Sequence, residues 1–159
     1  MLNPNTTAHN IRVQSATLDD LPDLVELLLA LFEEEQDFIP DKIRQEEGLR
    51  LILEQPNRGR IFVVRTDNTI IGMANVLIVI STAIGGFVLV LEDLIIHPAH
   101  RGQGYGSLLM TYIIDFAKKK DFKRITLLTD RVSAKSQSFF QSHGFDFSHM
   151  IPMRLHLED

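Results

Sequence analysis

Leu21, Leu24, Val25, Leu28, Leu31 and Phe32 recur at the three- and four-residue spacing of a helix with one apolar face. Thr17-Leu-Asp-Asp20 precedes them as a Thr-x-x-Asp start signal, so the spacing predicts a helix opened by a threonine cap, with Pro22 in its first turn. Glu33 to Asp37 closes that helix in a charge run, and Phe38 to Asp41 turns the chain. A second helix is expected from Lys42 to Glu54, weakened at Gly48, before a loop over Gln55 to Gly59.

The pattern then changes to that of strands. Ile11 to Ala16 already reads as one. Arg60 to Arg65 and Ile70 to Ser81 predict a β-hairpin across Thr66-Asp-Asn-Thr69, and Gly85-Gly86 turns the chain into a third long strand from Phe87 to His97. A helix with Tyr105, Leu108, Leu109, Tyr112, Ile113 and Phe116 on one face follows, ending in Lys118 to Lys120, where cations complement the helix dipole. A short strand over Arg124 to Thr129 comes next, then a helix over Ser133 to His143 closed by Gly144. Phe145 to Phe147 and Met150 to Leu157 are expected to finish the sheet as a hairpin. The order is β-α-α-β-β-β-α-β-α-β-β, an α+β fold with a mixed sheet. The expected organisation is a mobile lead-in over residues 1–10 and a single domain over 11–159.

Composition narrows the classes. The 159 residues suffice for one domain with its own core. No apolar stretch reaches membrane-spanning length without a charge or glycine, and the N-terminus has no signal-peptide core. Cysteine is absent, which excludes disulfides, cysteine-ligated zinc and a thiol nucleophile, and fits a cytoplasmic protein. Residues 1–60 hold twelve acids against six bases, and the remainder nine acids against ten bases. That distribution disfavours a nucleic-acid partner. It suits a cationic acceptor on one side and an anionic cofactor on the other, or acids that simply confer solubility.

The chemistry concentrates between Leu91 and Met110. Glu92 and Asp93 interrupt an otherwise apolar run from Phe87 to Ile96, and carboxylates on such a strand are costly unless paired or used. The strand runs through Pro98 into glycines at 102, 104 and 106 and then into a helix, a junction whose free N–H groups suit phosphate. A dinucleotide fingerprint would need its third glycine at residue 107, which is Ser107, and no Gly-Lys-Ser/Thr sequence completes a nucleotide-triphosphate loop.

Arg101-Gly-Gln-Gly-Tyr-Gly106 resembles the acetyl-CoA pyrophosphate loop of the GCN5-related N-acetyltransferases, with Arg101, Gly104 and Gly106 in its fixed places. Downstream, Phe139, Gly144 and Phe145 match the family's Asn-x-x-Ala-x-x-Phe-Tyr…Gly-Phe stretch, while Ser133, Ser136 and Phe140 depart from it. The resemblance implies an N-acetyltransferase using acetyl-CoA and acting on a small-molecule or peptide amine; a non-catalytic acyl-CoA-binding module on the same fold is the alternative. It implies that the strand carrying Glu92 splays from the strand near Thr126, so that backbone groups along Leu94, Ile95 and Ile96 bond the pantetheine arm. Cofactor contacts are then expected from Arg101, Gly102, Gln103, Gly104, Tyr105, Gly106 and Ser107, and from Ser133, Ser136 and Phe139. Neither a membrane nor a nucleic acid is expected as a partner, no metal is required, and a homodimer is left open.

Direct transfer needs a neutral amine, and a carboxylate with a raised pKa can take its proton. Glu92 is the candidate base. Strand alternation puts Glu92 and Asp93 on opposite faces, which leaves Asp93 as a structural acceptor. Phe140 stands where many members carry a tyrosine that protonates the thiolate, so that role has no hydroxyl here. Arg101 suits either the pyrophosphate or a surface acid. Arg131 and Lys135 suit a 3′-phosphate or plain solvation, and His97 and His100 suit strand-end structure. The Glu33–Asp37 run suits either amine attraction or a solvated helix end.

Overall fold

The structure is a computed structural model and describes residues 10–34 and 39–158. The chain forms two compact units, Met1–Leu128 and Thr129–Asp159. The first holds β1 (Ile11–Ser15), α1 (Leu21–Glu34), α2 (Lys42–Leu53), β2 (Gly59–Thr66), β3 (Thr69–Ser81), β4 (Gly86–Ile96), α3 (Tyr105–Lys119) and β5 (Ile125–Leu127). Its five-stranded sheet runs in the order β1-β2-β3-β4-β5. Pairing is antiparallel up to β4 and parallel between β4 and β5, so the sheet is mixed, as expected.

Alternation along the strands sends two sets of side chains to the two faces. Ile61 and Val63 of β2, Met73 of β3 and Ile95 of β4 form one core with Leu24, Leu28 and Leu49 of α1 and α2. Phe62 points the other way, and Tyr112 and Phe116 of α3 meet its ring edge-on at 5.2 and 5.0 Å. The helix spacing thus becomes two layers on one sheet. Asp20 accepts the Thr17 N–H at 2.9 Å and pairs with Arg65 at 2.7 Å, which ties the start of α1 to β2. The hairpin turn falls on Asp67, whose φ of +50° is the left-handed conformation that aspartate tolerates in tight turns.

In the second unit α4 (Ala134–Ser142) starts at Ser133, whose hydroxyl accepts the Ser136 N–H at 3.3 Å. Gly144 ends it at φ +94°, and the Phe145 N–H returns to the Phe140 carbonyl at 3.2 Å. The expected closing hairpin is not formed. Phe145–Phe147 and Met150–Leu157 carry no strand pairing among the described residues, and Ile151, Met153, Leu155 and Leu157 are exposed. Pro152 removes a ladder donor from the longer segment. Alternation of apolar residues there indicates an extended chain and does not supply a partner.

The lead-in over residues 1–9 and most of the Glu33–Asp37 run, with Phe38, lie outside the described residues. Among those described, no helix is long and apolar enough to cross a membrane.

Candidate active site

Strand register builds the centre of the site. β4 pairs with β5 only through Leu89–Ile125, Val90–Thr126 and Leu91–Leu127. From Glu92 onward β4 continues with no neighbour on that side within the first unit's described sheet, at the place where the family resemblance implies a wedge. On its other side Asn75 of β3 faces Asp93 and Val76 faces Leu91, so Glu92 is the extra residue of a β-bulge. A bulge breaks side-chain alternation. The alternation behind the expectation of opposite faces is therefore interrupted at Glu92, whose charge acts electrostatically on Asp93.

The two acids differ in environment. Glu92 is exposed and Asp93 half-buried, where Asn75 Nδ2 donates to its Oδ2 at 2.6 Å. Burial pushes the Asp93 carboxyl up from 3.8 to about 6; the Asn75 bond opposes that rise and the neighbouring charge of Glu92 adds to it. Asn75 was not singled out from the sequence, although it is the one amide inside the apolar run Ile70–Ile80.

Beyond Asp93 the strand supplies backbone more than side chain. Ile95 and Ile96 are buried and Leu94 half-buried, so their side chains fill the sheet's two faces. The N–H and C=O groups along the open edge are what remain for an extended ligand. His97 ends the strand by accepting the Ala99 N–H on Nδ1 at 3.1 Å, a structural role, and its ring meets that of His100 edge-on. No cluster of three metal-ligating side chains exists among the described residues.

The loop expected to cradle an anion follows the strand. Gly102 and Gly104 have φ of +75° and +88°, and a Cβ on either would project into open space. Gly104 is the N-cap of α3, and the first bond inside that helix runs from the Leu108 N–H to the Gly104 carbonyl at 3.0 Å. The N–H groups of Tyr105 and Gly106 precede that ladder and face the loop side at the positive end of the helix dipole. Gln103 and Ser107 are exposed beside them. Arg101 is already engaged: Nε donates to the Ile96 carbonyl at 2.9 Å, and the guanidinium pairs with Glu34 at 2.8 Å. Its partner in this structure is therefore a surface acid at the end of α1, one of the two alternatives expected for it.

In the second unit Ser133 and Ser136 bond each other at 3.0 Å at the start of α4. Phe139 packs edge-on against Phe140 at 5.2 Å, and Phe140 in turn against Phe145. Phe140 thus sits in an aromatic cluster and offers no proton.

Residues 21–145 match the acetyltransferase (GNAT) family, and the chain belongs to it. Over 134 residues, 84% of the chain, it is 29% identical to an amino-acid acetyltransferase of Shewanella oneidensis. Over 59 residues, 37% of the chain, it is 34% identical to a streptothricin acetyltransferase of Streptomyces lavendulae. These alignments cover only 26% and 31% of the two relatives, so the chain spans less than a third of either. An aminoglycoside N-acetyltransferase solved with CoA superposes with a TM-score of 0.78 at 18% identity, over 98% of this chain and 99% of that one, a likeness of fold. The family's acyl donor is acetyl-CoA. The first unit fits it: two glycines hold a conformation that side chains resist, the space before them is open, and an unpaired strand edge leads away from Glu92.

Proposed function

We propose that the chain is an acetyl-CoA-dependent N-acetyltransferase that transfers the acetyl group directly to a primary amine of a small molecule or peptide. The observation that carries this reading is the parting of β4 from β5 at Leu91–Leu127, one residue before a pair of carboxylates. Acetyl-CoA supplies the thioester. Gly102 to Ser107 and the start of α3 hold its phosphates, and the backbone of Leu94 to Ile96, apart from the Ile96 carbonyl that Arg101 holds, lines its arm. The Glu92–Asp93 pair takes up the amine's proton, with Glu92 the member open to solvent. Ser133, Ser136 and Phe139 keep the cofactor-contact role that the family resemblance implies for them, a reading supported by the family match over residues 21–145. The named relatives act on an amino acid and on streptothricin, and the CoA-bound neighbour on aminoglycosides, which supports an amine acceptor. The cysteine-free composition supports a cytoplasmic setting.

Release of CoA thiol from acetyl-CoA, followed across a panel of amines, tests the reading. Glu92→Gln should lower turnover about 10²-fold or more, the low side of a general-base contribution, without changing CoA affinity. The second reading, a non-catalytic acyl-CoA sensor, is favoured by Phe140, which has no hydroxyl for the thiolate. A thiol is acidic enough, with a pKa of about 8.5, to leave without that help. CoA binding without thiol release for any amine would select the sensor.

A further inference from the structure

One polar residue lies inside the apolar length of β3. Asn75 is 1% exposed, between Ala74 and Val76, both fully buried. Its Nδ2 is bonded to Asp93, but its Oδ1 is buried with no partner. A half-satisfied core amide costs stability that an apolar residue of similar size would not, so packing does not account for it. Its placement does point to a use, because Asn75 opposes and bonds Asp93 at the bulge that carries the adjacent Glu92.

We propose that Asn75 is a positioning residue that holds Asp93 as the resident proton acceptor, while exposed Glu92 meets the incoming ammonium group. This rests on the acetyltransferase reading and divides labour within its carboxylate pair. The amide suits both protonation states of Asp93. Ionised, Asp93 accepts from Nδ2, as observed. Protonated, it becomes a donor, and a half-turn of the Asn75 side-chain amide brings the orphaned Oδ1 round to accept. Leucine or valine at this position serves neither state. Serine or threonine serves both weakly, since a hydroxyl donates and accepts.

The surroundings leave this pair in control of the titration. Glu92 is the charged group whose field registers on Asp93. Over this face α1 and α2 contribute Leu24, Leu28 and Leu49 to the core, while the acids of α1 (Asp23, Glu26, Glu33) line a groove beside His97. Glu46 and Arg50 of α2 pair with each other. With its pKa near 6, Asp93 is ionised at neutral pH yet basic enough to hold a proton briefly.

The protons balance. The ammonium gives one to Asp93 before the amine attacks. A second leaves nitrogen as the C–N bond replaces C–S and stays with the departing thiolate. Asp93 returns the first to solvent.

The test combines pH–rate profiles with carboxyl-carbon NMR titration of the whole protein. Asp93→Asn should lower turnover by about 10²–10⁴ and abolish the acid limb of kcat/KM, the worth of a positioned base. Asn75→Leu should keep CoA affinity, raise the acid-limb pKa by about one unit because a bond to the charged form is lost, and lower kcat about tenfold. Asn75→Thr should restore part of both, which a purely structural asparagine would not predict. If Asn75→Leu does not fold, Asn75→Thr and the wild-type NMR titration decide. An Asp93 carboxyl titrating in the ordinary range, or an acid limb unmoved in every Asn75 variant, overturns the proposal. So does loss of the acid limb in Glu92→Gln while Asp93→Asn keeps it. If wild-type protein releases no thiol with any amine, the acetyltransferase reading fails instead, whatever the NMR titration shows.

Discussion

Arg101 and Glu34 form a 2.8 Å ion pair across 67 residues of sequence, and the same guanidinium holds the Ile96 carbonyl at the end of β4. One side chain therefore joins three segments: the strand that carries the carboxylates, the loop proposed to cradle phosphate, and the end of α1. Both partners are substantially exposed, at 40% and 49%, which limits the ion pair to about 0.2–1 kcal/mol. The backbone bond from Nε is the part that fixes loop geometry. Glu34→Gln should therefore raise the KM for acetyl-CoA no more than about fivefold, the equivalent of 1 kcal/mol. Arg101→Gln should cost more, because the loop loses its anchor to Ile96 as well. Measured together, the two single variants and the double variant separate the roles. If Arg101 serves only as a clasp, the double variant is no worse than Arg101→Gln. If Glu34 instead competes with the cofactor for Arg101, Glu34→Gln binds acetyl-CoA more tightly than wild type.

At Gly104 the constraint is conformational and spatial at once. A φ of +88° is one that side chains resist, at a cost of roughly 1–2 kcal/mol, and a β-branched residue resists it most. The space in front is open, so nothing in the protein clashes with a new side chain; what would meet it is the ligand. Gly104→Val should therefore keep the circular dichroism of the fold, lower the melting temperature by several degrees, and abolish CoA binding in calorimetric titration. A variant that binds CoA like wild type would remove the phosphate-loop assignment.

The parts of this fold that local pattern governs were legible in the sequence. The apolar stripe of α1, the Thr17–Asp20 start signal and the glycine loop opening α3 all appear where periodicity and turn chemistry place them. What escaped was set by pairing between strands. The assignment of Glu92 and Asp93 to opposite faces assumes an unbroken ladder, and the bulge against Asn75–Val76 that interrupts it leaves no mark in the composition of β4. Asn75 itself was visible as an amide in an apolar run, and its partner was not, since 18 residues separate it from Asp93. Alternation in Met150–Leu157 likewise signalled an extended chain, but pairing also needs a neighbouring strand, and no strand is paired with it among the described residues.

Asp93 makes a prediction about stability that requires no substrate. Its carboxyl titrates near 6 in the folded protein and near 3.8 when exposed, a difference worth about 3 kcal/mol at 1.36 kcal/mol per unit. The folded state binds the proton more tightly, so this residue favours folding at low pH and opposes it as pH rises. Below 3.8 both states are protonated and no penalty exists; between 3.8 and 6 the penalty grows; above 6 it is complete. Asp93→Asn removes the charge and keeps the shape, and the Asn75 amide retains an oxygen to which it can donate. Thermal unfolding should therefore show the variant more stable than wild type at pH 7.5, by up to about 3 kcal/mol, and nearly equal to it at pH 3.5. A difference that stays constant across this range would mean that Asp93 is not desolvated in the folded protein. A variant less stable than wild type at neutral pH would mean that the ionised carboxylate holds the bulge together.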